Sequence, residues 1–309
     1  MRSSRRDFVM YVGSAAVGAG VGLGSVGISR AYPLGLAPGL QLWTVKDLLE
    51  ANEAQTLTKD ARIGYRQLEH YQLPKSPGDF KSRCTVLGLE LIGCHVHLQS
   101  LDDPRSIDAA HALGLQYLIV KFPTLRAIGT KDISNMSVRE LTPLYEKITA
   151  DDYRWNAEQL NRHGATLKKA GIQLGYHNHA IDLKQFQNDS ALDILIQATD
   201  PAYVVFEMDC GHIIHGGADP VQYLKNYPLR ILLLHLKDLK PGYAVSSSID
   251  TEEKDTNAEL GKGVIDWPQL FEVAKRGSVR HYFVEHEGRM DHPPLEAIEN
   301  SLRYLKQFS

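Results

Sequence analysis

The sequence predicts an α/β chain, a single-domain (β/α)8 TIM barrel over residues 37–309 that follows an N-terminal signal segment over residues 1–31. Three observations predict it. After about residue 36, eight strand-length apolar runs alternate with amphipathic stretches over about 270 residues, the size of such a barrel. Gly64, Gly88, Gly114 and Gly171 each close a helical stretch just before a strand, where a helix C-cap favours a residue free to take positive φ. No glycine-rich phosphate loop follows the first strand, so the competing doubly wound sheet lacks its signature.

The first 31 residues are read apart from the fold. Arg5 and Arg6 precede Phe8 and the Gly- and Ala-rich run YVGSAAVGAGVGLGSVGI, and the SRA triplet ending at Ala31 offers a small-x-small cleavage site. Twin arginines before a weakly apolar run predict export to the periplasm by the twin-arginine (Tat) machinery. The run is glycine-rich for a permanent anchor, and no later segment is long and apolar enough to span a membrane.

The barrel elements follow in order. GLQLWTV reads as strand one, KDLLEANEAQTLTKDARI as a helix and YRQLEHY as strand two. DFKSRCTVLG is a helix before strand three, ELIGCHVHL, and PRSIDAAHALG a helix before strand four, QYLIVKF. A longer connection over 123–149 leads to the helix DDYRWNAEQLNRHGATLKKAG and strand five, IQLGYHNH. SALDILIQATD precedes strand six, YVVFEMDCG, and DPVQYLKNYP precedes strand seven, RILLLHLKD. After a polar loop, IDWPQLFEVAKRG precedes strand eight, RHYFVEHE, and PPLEAIENSLRYLKQF closes the chain.

Composition narrows the function. A net charge of −3 with no basic run speaks against nucleic acid as a partner. Cys84, Cys94 and Cys210 are odd in number, far apart and without a C-x-x-C, so neither a disulfide framework nor a catalytic thiol is expected.

In a barrel of this kind the site lies at the C-terminal strand ends, and side chains alternate faces with period two. Leu232, Leu234 and Leu236 are expected to pack on the helices, which turns His235 and Lys237 into the barrel mouth. The same alternation presents Gln41 and Trp43 on strand one, Glu69 on strand two, His95 and His97 on strand three and Lys121 on strand four. His177 and His179 end strand five, Glu207 and Asp209 strand six, and Glu285 strand eight. Polar groups collected on one inward face without a shared role would cost desolvation many times over. A His/Asp/His/Glu set from strands five to eight suits a divalent transition ion, such as Mn, Zn, Co or Fe, and a buried polar network is the competing reading. Trp43 is expected as a sugar platform. Glu69 is open between substrate contact and a pair with Lys121, and Glu207 is expected deeper, as a network partner. Cys210 is expected to pack, and Asp182 and Asp238 to support the site or start helices.

At these residues the chain resembles the sugar phosphate isomerase/epimerase family of xylose isomerase-like TIM barrels. The resemblance runs through GLQLWTVKD, GYRQLEHYQL, GIQLGYHNHAID, FEMDCGHIIHGGADPVQYLKNYP, LLHLKDLKPG and ELGKGVIDW, with MDCGH and HLKD its more specific elements. It implies one divalent metal ion on His177, Asp209, His235 and Glu285. It also places His95, His212 and Lys237 near the substrate, beside Trp43, Glu69 and His97. His177 departs from the pattern, because many members carry Glu there.

That departure bears on mechanism. Two opposed glutamates serve as acid and base in the family's epimerases. Here a one-sided proton abstraction is expected, with Glu285 as base and Lys121, His97 or His179 as acid. The resemblance thus implies an isomerase or epimerase acting on a keto-sugar or glycoside through an enediolate. The alternatives are a 3-keto-glycoside lyase or hydrolase working by β-elimination, and a non-catalytic sugar-binding barrel. An export signal favours unphosphorylated sugars, and KPGY is a poor phosphate loop. A homo-oligomer remains open.

Overall fold

The computed structural model describes residues 32–126, 138–249 and 256–308, so the expected signal segment lies outside the described residues. The apolar runs form eight strands: β1 (Gly39–Gln41), β2 (Gln67–His70), β3 (Glu90–Val96), β4 (Tyr117–Val120), β5 (Gln173–His177), β6 (Val204–Asp209), β7 (Ile231–Leu236) and β8 (His281–Val284). They pair in parallel in chain order, and β1 closes on β8 with Gly39 opposite Phe283. Around the barrel lie α1 (Lys46–Ala51), α2 (Glu53–Ile63), α3 (Pro77–Val86), α4 (Arg105–Leu113), α5 (Val138–Tyr145) and α6 (Ala150–Lys169). They continue with α7 (Ala191–Ala198), α8 (Cys210–His215), α9 (Pro220–Asn226), α10 (Trp267–Ala274) and α11 (Pro294–Leu305). Among the described residues no helix is long and apolar enough to cross a membrane.

Local chemistry sets the boundaries. Thr149 and Asp152 form a reciprocal capping box that starts α6. Gly64, Gly88, Gly114 and Gly171 all take positive φ, as the helix ends required. Four expected elements differ. The first helical stretch is broken at Asn52, whose side chain accepts from Gln55 N and starts a second helix. Strand one ends at Gln41, because its side-chain oxygen accepts from Trp43 N and turns Leu42–Val45 into a 3-10 helix. The connection after β4 contains α5, and α8 follows β6 directly, with the Asp209 carboxylate accepting from His212 N at 2.7 Å.

The core has two layers. Ile92, Tyr117, Ile119, Val205, Leu233 and Phe283 fill the barrel interior, while Leu234, Leu236 and Val284 join the larger cluster beneath the helices. Fully burying one such leucine is worth about 1.5–3 kcal/mol. Leu232 corrects the expected alternation, for it packs against the interior cluster. The cause is a register shift: Phe206 pairs with Ile231 but Glu207 pairs with Leu233, leaving Leu232 as an extra residue. A matching shift skips Ile92 opposite Leu68 and Glu69. Each irregularity falls just below an inward carboxylate, Glu69 or Glu207.

Candidate active site

The polar strand residues gather inside the mouth of the barrel in two layers. The upper layer holds His177, Asp209, His235 and Glu285, all buried, each offering a donor atom within 4.8 Å of the others. The strand pairing makes this set, for Asp209 is in register with His235, and His235 with Phe283, two residues before Glu285. His235 Nδ1 lies 3.0 Å from Glu285 Oε2 and 3.8 Å from Asp209 Oδ2. Two carboxylates and two imidazoles fit a divalent transition ion. Asp209 Oδ2 fits it too, as a buried oxygen that accepts no hydrogen bond although Lys237 Nζ stands 3.0 Å away.

Lys237 is the cation built into this layer. Its ammonium lies 3.0 Å from Asp209 and Glu285, 2.7 Å from Glu287 and 3.0 Å from His212 Nε2. Burial disfavours its charge, but the three carboxylates outweigh burial and hold its pKa well above the ordinary lysine value. Burial pushes the Asp209 carboxyl up to about 7, against the pull of Lys237. Burial also acts against Glu285, but Lys237 and His235 keep it ionised, well below its usual range. His177, His179 and His212 are held neutral, first by burial and then by neighbouring cationic groups.

The lower layer is the barrel floor. Glu207 Oε2 is surrounded by His95 Nε2 at 2.9 Å, His177 Nδ1 at 3.1 Å and His235 Nε2 at 3.1 Å. Glu69 Oε2 meets His235 Nε2 at 2.7 Å, His95 Nε2 at 3.0 Å and the Gln41 amide at 2.6 Å. Burial disfavours the His95 cation, yet the two glutamates raise its pKa to about 9. His95, His177, Glu207 and His235 also lie close enough to hold an ion, as do His177, His179 and His212.

A cavity of about 750 Å³ opens above these layers. Trp43, His97, Lys121 and His179 line it, as expected, and so do Tyr71, Phe122 and Glu287, which sequence reasoning missed. Glu287 continues the inward period after Phe283 and Glu285, and that was the signal available for it. His179 lies against Phe122, ring centroids 3.8 Å apart, with its backbone N–H bound to Asp182 at 2.9 Å. Lys46 sits 4.1 Å over the Trp43 ring.

Several expected site residues are placed differently. Glu69 and His95 lie in the floor, away from the cavity lining, because the stagger between strands sets them lower: His95 pairs with Ile119, and Ile119 with Gly175, two residues before His177. Glu69 meets His235, while Lys121 Nζ reaches Tyr71 O at 3.4 Å. His212 and Lys237 are buried and touch the cavity wall through Glu287. Glu207 is deeper than Asp209, as expected. Asp182 supports His179 and takes hydrogen bonds from the Tyr153 and Tyr176 hydroxyls. Asp238 anchors the loop to α10, accepting from Gly261 N, Gly263 N, Ile265 N and Trp267 Nε1. The three cysteines are free and buried.

Residues 57–308 match the model of the xylose isomerase-like TIM barrel family, and the chain belongs to that family. An inosose dehydratase of Clostridium perfringens is 29% identical, over 54% of this chain and 59% of its own length. The match to this relative thus spans less than two thirds of it. An inosose dehydratase of Lacticaseibacillus casei is 24% identical over 88% of this chain and 95% of the relative. A sugar phosphate isomerase/epimerase of Parabacteroides distasonis shares the fold with a TM-score of 0.68 and 24% identity, over 87% of this chain and 93% of that one. The IOLI protein, solved with a zinc atom, gives 0.59 and 13% identity, over 87% and 96%.

Proposed function

We propose that the chain is a metal-dependent enzyme that removes the proton next to the carbonyl of a keto-sugar, keto-cyclitol or keto-glycoside. The observation that carries this reading is the buried His177–Asp209–His235–Glu285 set beneath a cavity lined by aromatic and proton-carrying groups. Those four residues would hold the ion. A divalent ion in such a set supplies a Lewis acid that polarises a carbonyl and acidifies the neighbouring C–H. Zinc in IOLI supports the choice of a divalent ion.

The chain's own residues divide the remaining work. Glu285, kept ionised by Lys237 and His235, takes the proton. Lys121 or His97, at the cavity wall, returns one to the leaving oxygen, while His179, held neutral, is left to contact the substrate. Trp43 and Phe122 give the sugar ring flat apolar faces. With His177 in place of a second carboxylate, abstraction is one-sided, and the outcome it favours is elimination of water or of a glycosidic oxygen. Similarity to inosose dehydratases supports that outcome. Isomerisation or epimerisation is the second reading, favoured by Glu287, which brings another carboxylate to the cavity.

The test is metal analysis of the purified chain, then assay on an inosose, a 3-keto-glucoside and a ketohexose. Elimination is expected to produce an enone, followed by its ultraviolet absorbance. A metal-loaded protein that consumes none of the three would contradict the proposal.

Residues 1–31 are proposed to act as a twin-arginine export signal, supported by Arg5-Arg6 before the glycine-rich run. Cell fractionation of Arg5→Lys/Arg6→Lys against the parent tests it, with retention in the cytoplasm expected.

A further inference from the structure

We infer that Glu69 and Glu207 are positioning residues that choose which nitrogen of His235 and His177 is offered to the metal, and so decide which of the overlapping donor sets is used. The inference rests on the proposed divalent ion and goes beyond it, because donor residues alone leave the choice open. His177 and His235 belong to both the upper set, with Asp209 and Glu285, and the lower set, with His95 and Glu207.

An imidazole that ligates a metal through one nitrogen carries its proton on the other, and a carboxylate accepting that proton fixes the ring. Glu69 Oε2 lies 2.7 Å from His235 Nε2 and already accepts the Gln41 amide, so it acts toward His235 as an acceptor. His235 therefore keeps its proton on Nε2 and presents Nδ1, the nitrogen that faces Glu285 and Asp209. The lower set would need Nε2, the nitrogen that faces Glu207. Glu207 Oε2, 3.1 Å from His177 Nδ1, holds that ring in the same sense and leaves Nε2 for a ligand. Glu207 is thereby a support for two ligands and outside the ligand set. The floor carboxylates are tied to the scaffold through Gln41 and His95, and the two register shifts place them one step below the ligands.

The experiment compares metal dissociation constants, by chelator competition, and the visible spectrum of the Co(II) form, for the parent, Glu69→Gln, Glu69→Met, Glu207→Gln, His95→Ala and Asp209→Asn. Loss of an outer-shell partner typically weakens metal binding about 10–100-fold. Glu69→Gln, which keeps an acceptor, is expected near the lower end and Glu69→Met near the upper end, each with a shifted Co(II) spectrum. Glu207→Gln should follow Glu69→Gln. Asp209→Asn should cost more than His95→Ala, since Asp209 belongs to the upper set and His95 to the lower. Thermal unfolding of the metal-free forms identifies any variant that fails to fold, and Glu69→Gln against the parent then carries the comparison. Parental affinity and spectrum in Glu69→Gln and Glu69→Met would overturn the inference while leaving the metal enzyme intact. So would a greater loss in His95→Ala than in Asp209→Asn. A parent chain that binds no divalent ion would overturn both.

Discussion

Glu69 Oε2 and His235 Nε2 lie 2.7 Å apart and join β2 to β7 across the inside of the barrel. The contact depends on a glycine. A Cβ on Gly93 would stand 2.9 Å from Glu69 Oε1 and 3.0 Å from Ile119 Cδ1, so any side chain there pushes the carboxylate. Gly93→Ala is expected to weaken metal binding about tenfold, the low end for an outer-shell change, although residue 93 is outside every donor set. Chelator competition measures it, and unchanged affinity would show that Glu69 has room to move.

Metal binding should stabilise the fold. With free ion at about 100 times its dissociation constant, unfolding should cost about 2.7 kcal/mol more than in chelator. In Asp209→Asn and His235→Ala that increment is expected to vanish. Urea melts with and without the ion give the answer, and a full increment in either variant would remove that residue from the ligand set.

Lys237 makes the complementary prediction. Its ammonium lies 3.0, 3.0 and 2.7 Å from Asp209, Glu285 and Glu287. Lys237→Met leaves the Asp209 and Glu285 carboxylates buried without it, a loss of about 3–5 kcal/mol for a broken buried pair. The loss should be large in chelator and smaller with a divalent ion present, because the ion supplies replacement charge. Equal losses in both conditions would mean that Lys237 and the metal do not share these carboxylates.

Asp60 gives a pH dependence remote from the site. It lies in the last turn of α2 with both carboxyl oxygens buried and without hydrogen-bond partners, and burial raises its pKa from 3.8 to about 7. The folded chain holds this proton more tightly than the unfolded chain. Its stabilising contribution is therefore full below about pH 4 and is lost as pH rises to about 7. Asp60→Asn should gain on the order of 2 kcal/mol at about pH 8 and almost nothing at about pH 4. Denaturant melts at the two pH values test this, and an equal gain at both would assign the effect to packing.

Trp43 reads out the sugar platform. Its ring lies at the cavity wall, edge-on to Tyr71 with centroids 5.6 Å apart. Trp43→Ala should raise KM about tenfold and change kcat less, as expected for a contact made equally before and during reaction. A matched fall in kcat at constant KM would place Trp43 in the transition state instead.

The fold was legible because each apolar run is bounded by its own helix end or turn, and the inward set from His177 to Glu285 was legible because period two holds at the strand ends. Depth was not legible. Glu69 and His95 share the inward face with the ligands, but their height depends on the stagger between strands and on register shifts that add Ile92 and Leu232. Those shifts carry no local signal beyond an extra apolar residue, so Leu232 read as part of the helix-facing row. Glu287 was missed although it ends the run RHYFVEHE and continues the inward period past Val284, the last residue of β8, as Glu285 does. Asp238 was read as either support for the site or a helix start, but its oxygens hold the 257–267 loop, a contact between segments that local pattern does not show.

Hydrogen exchange at carbon tests proton abstraction most directly. The metal-loaded chain is incubated in deuterium oxide with an inosose or a 3-keto-glucoside, and proton NMR follows the position next to the carbonyl. Loss of that signal, or its loss with elimination, is expected in the parent, and not in Asp209→Asn or in Glu285→Gln. Full retention of the proton in every metal-replete reaction, with substrate bound, would contradict abstraction next to the carbonyl.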